Sequence, residues 1–396
     1  MSDSPAPRFQ TNAFWRTLPA GMRRRWWFFR LFDLLARFWP VFKKRRGLVV
    51  VRMDGIGDMV LFRNSLEDYS EAFGVDAKDI TVIGCNSWAG IADQLFDGYR
   101  VLPINEHRYA KRPLYRFSIN LKVHALAPEI VVSDAYFRRA LMADSLVWVM
   151  AAPRSLVSYP YINEPTRSEY SYYMSQVSEV VDTGPYPTHE IMRHANFVSH
   201  FSGKPVSPKA PTLNWPGNEV SGFEAGSYVV LNPGSNEYGR RWPLDSYTRL
   251  ATWLAGEGYR VVFVGKADEK ARGGGIGDVA NGDQIVDLTG KTDMPGLLDL
   301  MKNAALVVSN DTGPAHLAIG LGAPTVVIVG GGHFGSFVPY PAEITPENVR
   351  FVYQKMECYH CFWRCHKRED RMASFPCVAA VTAKQVQDAC KAVLLS

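Results

Sequence analysis

Short apolar runs alternate with amphipathic stretches along most of the chain, and this alternation predicts strands and helices in turn. In the first half, strands are predicted at 48–53, 79–84, 129–134 and 155–159, and a helix at 58–69. After a stretch rich in Pro, Gly, Ser and Asn at 202–226, strands are predicted at 228–234, 259–265, 284–290, 305–311 and 324–330, and helices at 244–256, 294–303 and 314–320. Repeated strand–helix–strand units predict an α/β protein with parallel sheets covered by helices.

The restart of this pattern predicts two domains. A chain of 396 residues exceeds the size at which a single core usually keeps growing. We therefore expect two Rossmann-like domains whose parallel sheets face each other across a cleft. They are predicted at 47–205 and 227–350, with a linker at 206–226 between them and flanking segments at 1–46 and 351–396.

The positive charge of the chain is concentrated in its first 46 residues. The net charge is +5, yet residues 1–46 hold eleven Lys and Arg against Asp3 and Asp33. The rest of the chain, with 33 basic and 37 acidic residues, is mildly acidic. A nucleic-acid-binding body would carry its own basic face, so we expect no nucleic acid as a partner.

Residues 21–46 predict an amphipathic helix rich in aromatic residues, GMRRRWWFFRLFDLLARFWPVFKKRR. Arg23, Arg30, Arg37 and Lys44 recur every seven residues and would form one cationic stripe. Such a helix suits the surface of an anionic membrane. The alternative is a helix packed on the protein's own surface, with its arginines in solvent. No secretory signal and no membrane-spanning run are expected.

The sequence NDTGPAH, which follows a predicted strand, is a candidate site for chemistry. Proline suits the first turn of a helix, and the free backbone N–H groups at a helix start can hold a diphosphate. A glycine in the turn permits close approach of a ligand. The candidate residues are Asp311, Thr312, Gly313, Pro314 and His316. The alternative is a structural turn capped by Asp311 or Thr312.

Two further turns carry candidate groups. In NPGSNEYGRRWP, Ser235 ends a strand and Arg240 is placed to hold a phosphate, although a structural loop with solvated arginines has the same composition. In VVVRMDGIGDMVLF, a glycine-rich turn leads to Asp58. This turn either holds a phosphate or presents Asp58 as a catalytic base. Val60 occupies the third glycine position of a dinucleotide fingerprint, which weakens the phosphate interpretation.

Four motifs in this order resemble glycosyltransferase family 9, the bacterial ADP-heptose:lipopolysaccharide heptosyltransferases: VRMDGIGDM, PGS…RRWPLDSY, VFVGKADE and NDTGPAHLA. The resemblance runs from about Gly47 to the C-terminus. It implies a GT-B fold, inverting transfer of a sugar from a donor such as ADP-heptose, and no catalytic metal ion. The chain contains no Asp-x-Asp pair, the usual metal ligand of the other glycosyltransferase fold, which agrees with the last point.

The resemblance also implies roles for individual residues. Asp58 matches the catalytic base, and Glu269 matches the carboxylate that holds the nucleotide ribose. The phosphate-binding positions are matched by Ser235, Asn236 and Arg240, and the donor-binding loop by Asp311, Thr312, Gly313 and His316. Arg240 stands where lysine is common, which changes the geometry of the cation. Asn232 replaces a frequent histidine and bears on donor specificity.

On this assignment the first domain binds the acceptor and the second binds the nucleotide sugar. The base and the groups that stabilise the leaving diphosphate would lie on opposite domains, so closure of the cleft would assemble the site. The acceptor is expected to be a glycolipid or glycan of the envelope. Basic runs at 107–116 and 137–140 either contact its acidic sugars or are solvated loops. The enzyme is expected in the cytoplasm, on the inner face of the inner membrane.

Four cysteines are closely spaced near the C-terminus, namely Cys358, Cys361, Cys365 and Cys377. The spacing suits a structural zinc or iron site with four thiolate ligands and no open position. Members of the resembled family hold iron in similar cysteine fingers. The alternative is four reduced or disulfide-paired cysteines that stabilise a loop. Six cysteines in a long chain without a signal suggest a reducing compartment.

Three other functions fit parts of the pattern. The glycine-rich turn before Asp58 admits an NAD(P)-dependent Rossmann oxidoreductase. A non-hydrolytic nucleotide-sugar epimerase would share the fold. A non-catalytic scaffold anchored to the membrane would keep the two domains without the chemistry.

Overall fold

The computed structural model describes residues 12–271 and 283–395. Its first sheet is parallel and six-stranded, in the order β3-β2-β1-β4-β5-β6. The strands are β1 (Leu48–Arg52), β2 (Ile80–Cys85), β3 (Arg100–Ile104), β4 (Ile130–Ser133), β5 (Arg154–Ser158) and β6 (Glu179–Val181). The helices up to residue 202 are α1 (Ala13–Thr17), α2 (Arg24–Arg37), α3 (Ile56–Arg63), α4 (Ser65–Phe73), α5 (Ala92–Leu95), α6 (Glu106–Lys111), α7 (Pro113–His124), α8 (Ala143–Met150), α9 (Arg167–Met174) and α10 (Glu190–Ser202).

The second sheet is also parallel and six-stranded, in the order β12-β11-β10-β7-β8-β9. Its strands are β7 (Tyr228–Asn232), β8 (Arg260–Phe263), β9 (Ile285–Asp287), β10 (Leu306–Asn310), β11 (Thr325–Ile328) and β12 (Val349–Val352). The accompanying helices are α11 (Leu244–Gly256), α12 (Ala267–Ala271), α13 (Met294–Lys302), α14 (Gly313–Gly320), α15 (Pro376–Ala379) and α16 (Ala383–Leu394). Asp293 caps α13, and Thr382 with Gln385 forms a capping box that starts α16.

Both sheets have the strand order of a doubly wound Rossmann fold. The first strand of each sheet lies beside the fourth, β1 beside β4 and β7 beside β10. The direction of winding reverses between these strands. Ligands of open α/β sheets bind in the crevice at the carboxyl ends of the strands, at this reversal. The topology therefore directs attention to the loops after β1, β4, β7 and β10.

The predicted α/β class with two parallel sheets is confirmed, and the strands that the pattern missed lie at sheet edges. β3, β6 and β12 were not predicted. Each is the outermost strand on its side of the sheet, and β3 and β12 leave residues exposed along their length. Edge strands keep one side open to solvent, so they lack the continuous apolar run that marks a central parallel strand.

The described residues pack into two compact units. The first comprises the described residues up to Gly55, together with Ser65–Gly184 and Met192–Ser207. The second comprises Ile56–Asn64, Pro185–Ile191 and the described residues from Pro208 onwards. The predicted domain boundaries stay a prediction. The units divide the chain differently in one respect that matters for chemistry, because α3 with Asp58 groups with the second unit.

In the N-terminal segment, where residues 12–46 are described, α2 packs on the first unit through a buried ion pair. Arg116 donates two hydrogen bonds to the Asp33 carboxylate, at 2.7 and 2.6 Å. Asn120 donates a third at 2.6 Å. Asp33 and Arg116 are both almost fully buried. Removing one partner would leave the other as an unpaired buried charge, so this contact fixes the position of α2 on α7.

The arginine stripe of α2 contacts the first unit, contrary to the prediction that it faces lipid or solvent. Arg23 donates two hydrogen bonds to Glu169, both at 2.6 Å. Arg30 lies over the ring of Tyr172 at 4.9 Å, and Arg37 lies over the ring of Trp148 at 4.5 Å. Guanidinium groups stack well on aromatic faces. The stripe therefore attaches the helix to the protein.

The other face of α2 and the residues that follow it are apolar and exposed. Leu31 is 61% exposed, and Phe42 is 96% exposed. The remaining exposed apolar residues here are Trp27, Phe28, Leu35, Phe38 and Trp39. Within the described residues, no helix is long and apolar enough to cross a membrane.

Candidate active site

The residues predicted to bind a nucleotide sugar lie on three loops of the second unit and on the helices α12 and α14 that follow two of them. Ser235, Asn236 and Arg240 follow β7, Glu269 follows β8, and the loop that begins at Asp311 follows β10. These strands are neighbours in the order β10-β7-β8. Because the carboxyl ends of parallel strands share one edge, the sheet brings the three loops together at the reversal point.

The start of α14 forms the centre of this group. Thr312 is its N-cap residue, and Gly313 and Pro314 occupy its first turn. The Thr312 side chain accepts no capping hydrogen bond from this turn. Pro314 has no N–H, and the Ala315 N–H donates to the Thr312 carbonyl at 3.0 Å, so Gly313 supplies the N–H group that the first turn can offer to a ligand. Such a group at the start of a helix attracts a phosphate.

Asn310, which the sequence analysis did not single out, ties the loops after β7 and β10 together. Its side chain is fully buried. It donates to the Pro233 carbonyl at 2.8 Å and accepts a hydrogen bond from the Trp242 backbone N–H at 3.0 Å. A buried amide that satisfies both its donor and its acceptor makes a rigid link. The signal available in the sequence was a polar residue ending an apolar strand.

Arg240 is placed beside the start of α14 by contacts on two sides. Its Nη2 donates to the Asp311 carbonyl and lies 3.3 Å from the Asp311 carboxylate. Its guanidinium lies over the ring of Trp363, 4.7 Å from the centroid. The side chain is 27% exposed, and its buried Nε has no hydrogen-bond partner within the described part of the chain. A planar cation with unused donors is suited to an anionic ligand.

The remaining predicted donor residues surround the ends of β7 and β8. Ser235 is buried, and its hydroxyl has no hydrogen-bond partner among residues 12–271 and 283–395. Asn236 accepts a hydrogen bond from Lys266 Nζ at 3.0 Å. The Glu269 carboxylate accepts from the Lys266 backbone N–H at 2.9 Å, and a Cβ added at Gly234 would lie 2.0 Å from it. The carboxylate therefore lies directly over this glycine, where a side chain would block it.

His316 is buried on the first turns of α14 and is neutral at physiological pH. Burial, with a smaller contribution from the charge of Arg240, lowers the pKa of His316 to about 3. Its Nδ1 lies 2.8 Å from the hydroxyl of Tyr340, and the two rings stack at 5.8 Å. The positive potential at this site therefore comes from Arg240 and the helix start, and His316 adds no charge to it.

We expect His316 to make the folded protein sensitive to acid. Its pKa is lower in the folded state than the usual 6.5, so the unfolded chain binds more protons below that value. The free energy of unfolding should fall as the pH drops from about 6.5 towards 3, and the loss that His316 causes should reach about 2 kcal/mol by pH 5. In urea denaturation between pH 7 and 5, the free energy of unfolding of His316→Gln should fall less steeply than that of the wild type.

His107→Gln is the matched control for this measurement, because the His107 side chain is 83% exposed. It should follow the wild-type pH dependence. Equal slopes for His316→Gln and the wild type would contradict the neutral, buried state of His316.

The turn that carries Asp58 packs closely on the donor loop within the second unit. Asp58 lies in the first turn of α3. A Cβ added at Gly57 would lie 2.8 Å from Cδ2 of His316, and one added at Gly313 would lie 3.1 Å from Cβ of Ile56. These glycines allow the first turns of α3 and α14 to touch. The predicted base and the predicted donor loop are therefore neighbours in one compact unit.

Gly57→Ala should disturb this packing. Because the added methyl would meet a buried imidazole, α3 has to shift, and we expect a loss of about 1–3 kcal/mol in the free energy of unfolding. Gly256→Ala is the matched control, since no atom of residues 12–271 and 283–395 lies within 4 Å of a Cβ added there. It lies at the end of α11 and should be neutral or slightly stabilising. Equal stabilities of the two variants would show that α3 does not press on His316.

A buried ion network that the sequence analysis missed lies after β1 and β4 in the first unit. Arg52 lies 2.5 Å from the Asp54 carboxylate and 2.8 Å from that of Asp134. His194 Nδ1 lies 2.6 Å from the other Asp134 oxygen. Although burial alone would raise the pKa of Asp134, the charges of His194 and Arg52 hold it well below its usual range. The network orders the chain just before the Asp58 turn.

The four cysteines near the C-terminus surround one cavity of about 10 Å³, and none of them is in a disulfide. Burial raises the pKa of the Cys361 and Cys377 thiols. Across the described ranges, no group of three or more His, Cys, Asp or Glu residues is arranged to hold a metal ion. The predicted zinc or iron ligands therefore do not fit a bound ion as they are placed.

The segment that contains these cysteines nevertheless contributes to the candidate site. Trp363 stacks on Phe375 at 5.5 Å, and a Cβ added at Gly332 would lie 2.1 Å from its ring. The same ring lies under Arg240. The segment thus supplies the aromatic support of the cation, a role that its cysteine spacing did not indicate.

Comparison with known proteins relates the chain to one family. Residues 164–369, slightly more than half of the chain, match the sequence model described as glycosyltransferase family 9 (heptosyltransferase). A lipooligosaccharide heptosyltransferase 2 of Haemophilus influenzae is 34% identical over 103 residues, which cover 25% of this chain and 30% of the relative. The chain thus spans about 30% of the length of the curated relatives it first matches.

Solved structures agree with this relation at the level of the fold. A family 9 glycosyltransferase of Veillonella parvula has a TM-score of 0.70 at 16% identity, over 90% of this chain and 99% of that one. The E. coli heptosyltransferase WaaC, solved with ADP-2-deoxy-2-fluoro heptose, has a TM-score of 0.59 at 18% identity, over 87% of this chain and 98% of that one.

Proposed function

The chain belongs to glycosyltransferase family 9 and has the GT-B fold, and from this membership we propose that it is an inverting glycosyltransferase. It moves a heptose or a related sugar from a nucleotide-diphosphate donor, with ADP-heptose as the expected donor, to a hydroxyl of an envelope glycan such as the lipopolysaccharide core. The observation that carries the proposal is the close packing of the Asp58 turn on the start of α14, with Arg240 beside it.

The donor diphosphate would lie at the start of α14. Its negative charge grows as the bond to the sugar breaks, so groups that stabilise that charge lower the barrier. The backbone N–H groups around Gly313 and the guanidinium of Arg240 supply positive potential. Their charges and orientations are already set in the folded protein and need not change during the reaction. The Ser235 hydroxyl, buried and unpartnered within the described residues, offers a further hydrogen bond to a phosphate oxygen.

Asp58 would act as the base for the acceptor. The acceptor hydroxyl oxygen attacks the anomeric carbon from the face opposite the diphosphate, and its proton passes to the Asp58 carboxylate. A new carbon–oxygen bond forms as the bond between the anomeric carbon and the phosphate oxygen breaks, and the nucleoside diphosphate leaves. One displacement of this kind inverts the anomeric centre. Membership of family 9 implies that this transfer uses no catalytic metal ion.

A carboxylate near the base could raise its basicity, and Asp54 lies just before Asp58 in the same turn. Arg52 neutralises Asp54 at 2.5 Å, so Asp54 carries little uncompensated charge with which to raise the basicity of another carboxylate. We assign Asp54 the role of ordering the turn.

A thermal-shift panel of nucleotides on the purified protein tests the donor. ADP-heptose and ADP should raise the melting temperature, because a ligand that binds only the folded state stabilises it. UDP- and GDP-sugars and NADH should give smaller shifts. A shift with NADH but not with ADP-heptose would favour the oxidoreductase alternative. If a labelled donor returned only an isomerised sugar, the epimerase alternative would replace the transferase.

We also propose that the exposed apolar face of α2 rests on the anionic, cytoplasmic surface of the inner membrane. Leu31 and Phe28 are more than half exposed on this face, and Lys43 and Lys44 are exposed just beyond it. Apolar side chains at the headgroup boundary and nearby cations attracted to anionic lipid are the two features that such binding needs.

Co-sedimentation with vesicles tests the membrane proposal. The protein should bind phosphatidylglycerol-containing vesicles, and Leu31→Asp should reduce this binding because it places a charge in the apolar face. Leu395→Asp, which alters an exposed leucine of the second unit, should not. Equal binding of all three proteins would exclude the α2 face as the contact.

A further inference from the structure

Among the residues that the structure describes, four arginines and no acidic residue line a cavity of about 290 Å³ in the first unit. Arg23 and Arg25 come from the N-terminal segment, and Arg138 and Arg139 come from the chain after β4. All four arginines lie outside the stretch that matches the family model, residues 164–369. The segment that attaches α2 to the protein therefore also builds one wall of this cavity.

The acidic partners of Arg23 and Arg138 are not among the residues that line the cavity, and they compensate only part of the positive charge. Glu169 pairs with Arg23 at 2.6 Å, and Asp144 pairs with Arg138 at 2.9 Å. Arg25 donates to the Ala110 carbonyl, which carries no charge. Burial, followed by the charges of Arg116, Arg23 and Arg139, lowers the pKa of Arg25. The arginines thus repel one another in the absence of an anion.

Arg138 has one hydrogen-bonding nitrogen unused. It is only 5% exposed, and its Nε and Nη1 are bonded to Asp144, Ala135 and Ser158. Its Nη2 is buried and has no hydrogen-bond partner in the part of the chain that the structure describes. An unmatched donor on a buried guanidinium leaves its positive charge poorly compensated, and Arg138 adds this charge to the cavity that it lines.

The rest of the lining suits a sugar. The rings of Phe137 and Tyr161 lie 5.7 Å apart and both line the cavity, so they offer apolar faces to the C–H groups of a pyranose. Asn163 and Thr166 add polar groups that can bond to hydroxyls. The volume lies at the lower end of the range for small-molecule sites, roughly 300–1,000 Å³, which is the scale of one sugar residue.

We propose that this cavity binds an acidic sugar residue, one that carries a phosphate or a carboxylate, of the acceptor glycan. The identification of the ligand as the acceptor rests on the proposed glycosyl transfer, whereas the preference for an acidic sugar rests on the cavity itself. Arginine forks match the planar carboxylate and the phosphate group with paired hydrogen bonds.

Calorimetric titration with glucose 6-phosphate, glucuronic acid and glucose tests the proposal without requiring turnover. At least one of the acidic sugars should bind the wild-type protein, and glucose should bind at least about tenfold more weakly, because it lacks the charged hydrogen bonds. Arg139→Gln and Arg25→Gln should each weaken the binding of the acidic sugar by about tenfold or more. Both side chains are exposed, so their replacement should not unfold the protein.

Arg100→Gln is the matched control, because Arg100 is an exposed arginine on the edge strand β3 of the same unit and does not line the cavity. It should bind as the wild type does. Equal affinity for glucose and the acidic sugars, or unchanged affinity in both cavity variants, would overturn the proposal. The proposal would also be overturned if the cavity variants lost binding to phosphatidylglycerol vesicles but kept sugar binding, since the cavity would then serve a lipid headgroup.

ADP-heptose binding, measured on the same samples, separates this proposal from the proposed function. The cavity variants should bind ADP-heptose as the wild type does, because the donor residues lie in the second unit. If the wild type bound an acidic sugar but not ADP-heptose, the donor assignment would fail while the cavity proposal stood. If it bound ADP-heptose but no acidic sugar, the cavity proposal would fail while the donor assignment stood.

Discussion

Asp58→Asn should lower the rate of glycosyl transfer by about a thousandfold while leaving the affinity for ADP unchanged, because removal of a general base costs roughly 10²–10⁴-fold. Asparagine has nearly the same shape as aspartate but cannot accept the acceptor proton. Asp58 lies in the first turn of α3, so the substitution also removes a favourable charge at a helix start, worth typically less than about 1 kcal/mol. That loss is too small to unfold the protein.

Asp245→Asn controls for the helix-start effect. Asp245 is exposed in the first turn of α11, in the same unit as Asp58. Its replacement should change neither turnover nor ADP binding. Turnover of Asp58→Asn at the wild-type rate would assign the base to another residue. A parallel loss of ADP affinity would instead make Asp58 a donor-binding group, and a wild-type protein that binds ADP but turns over no acceptor would support a scaffold.

Arg240→Ala should lower kcat/KM for the donor by about 10²–10³-fold, since removal of a single charge-stabilising group from an active site commonly costs about this much. The substitution removes the cation beside Asp311 and leaves the Asp311 carboxylate, 3.3 Å from it in the native protein, without its counter-charge. A carboxylate so freed repels a diphosphate. We therefore expect a weaker affinity for ADP as well as a lower kcat.

Arg240→Lys tests whether charge alone is sufficient. Lysine keeps the charge but loses the planar stacking on Trp363, whose ring lies 4.7 Å from the guanidinium. It should recover activity only in part. Arg249→Ala, at an exposed position on α11, is the matched control and should behave as the wild type. Full activity of Arg240→Ala would leave the start of α14 as the sole source of positive potential and would contradict the role assigned to Arg240.

The candidate site shows which parts of an active site a local pattern can predict. Each donor motif lies within a few residues of a predicted strand end, where side chains point to one edge of a parallel sheet. The strand interiors were predictable because strands buried on both faces are continuously apolar. Position at the end of such a strand made Ser235, Arg240 and Asp311 candidates, and the resemblance to family 9 assigned them to one donor site.

The contacts between motifs were not predictable, because they join residues far apart in the chain. Trp363 under Arg240 and Gly57 against His316 are examples. Nothing in the periodicity of either segment refers to the other. The same holds for the four cysteines, whose spacing suggests metal ligands but whose described placement does not form a metal site.

The arginine stripe of α2 shows what the sequence determines by itself and what only the tertiary structure decides. Its sevenfold repeat on one helical face, the flanking basic clusters and the confinement of charge to residues 1–46 follow from the sequence alone, as do the two parallel sheets and the loops that carry the donor motifs. Only the tertiary structure decided that the stripe faces inward. Glu169, Tyr172 and Trp148 lie far along the chain, and a cation turns towards protein instead of water only where folding has assembled partners that replace its hydration.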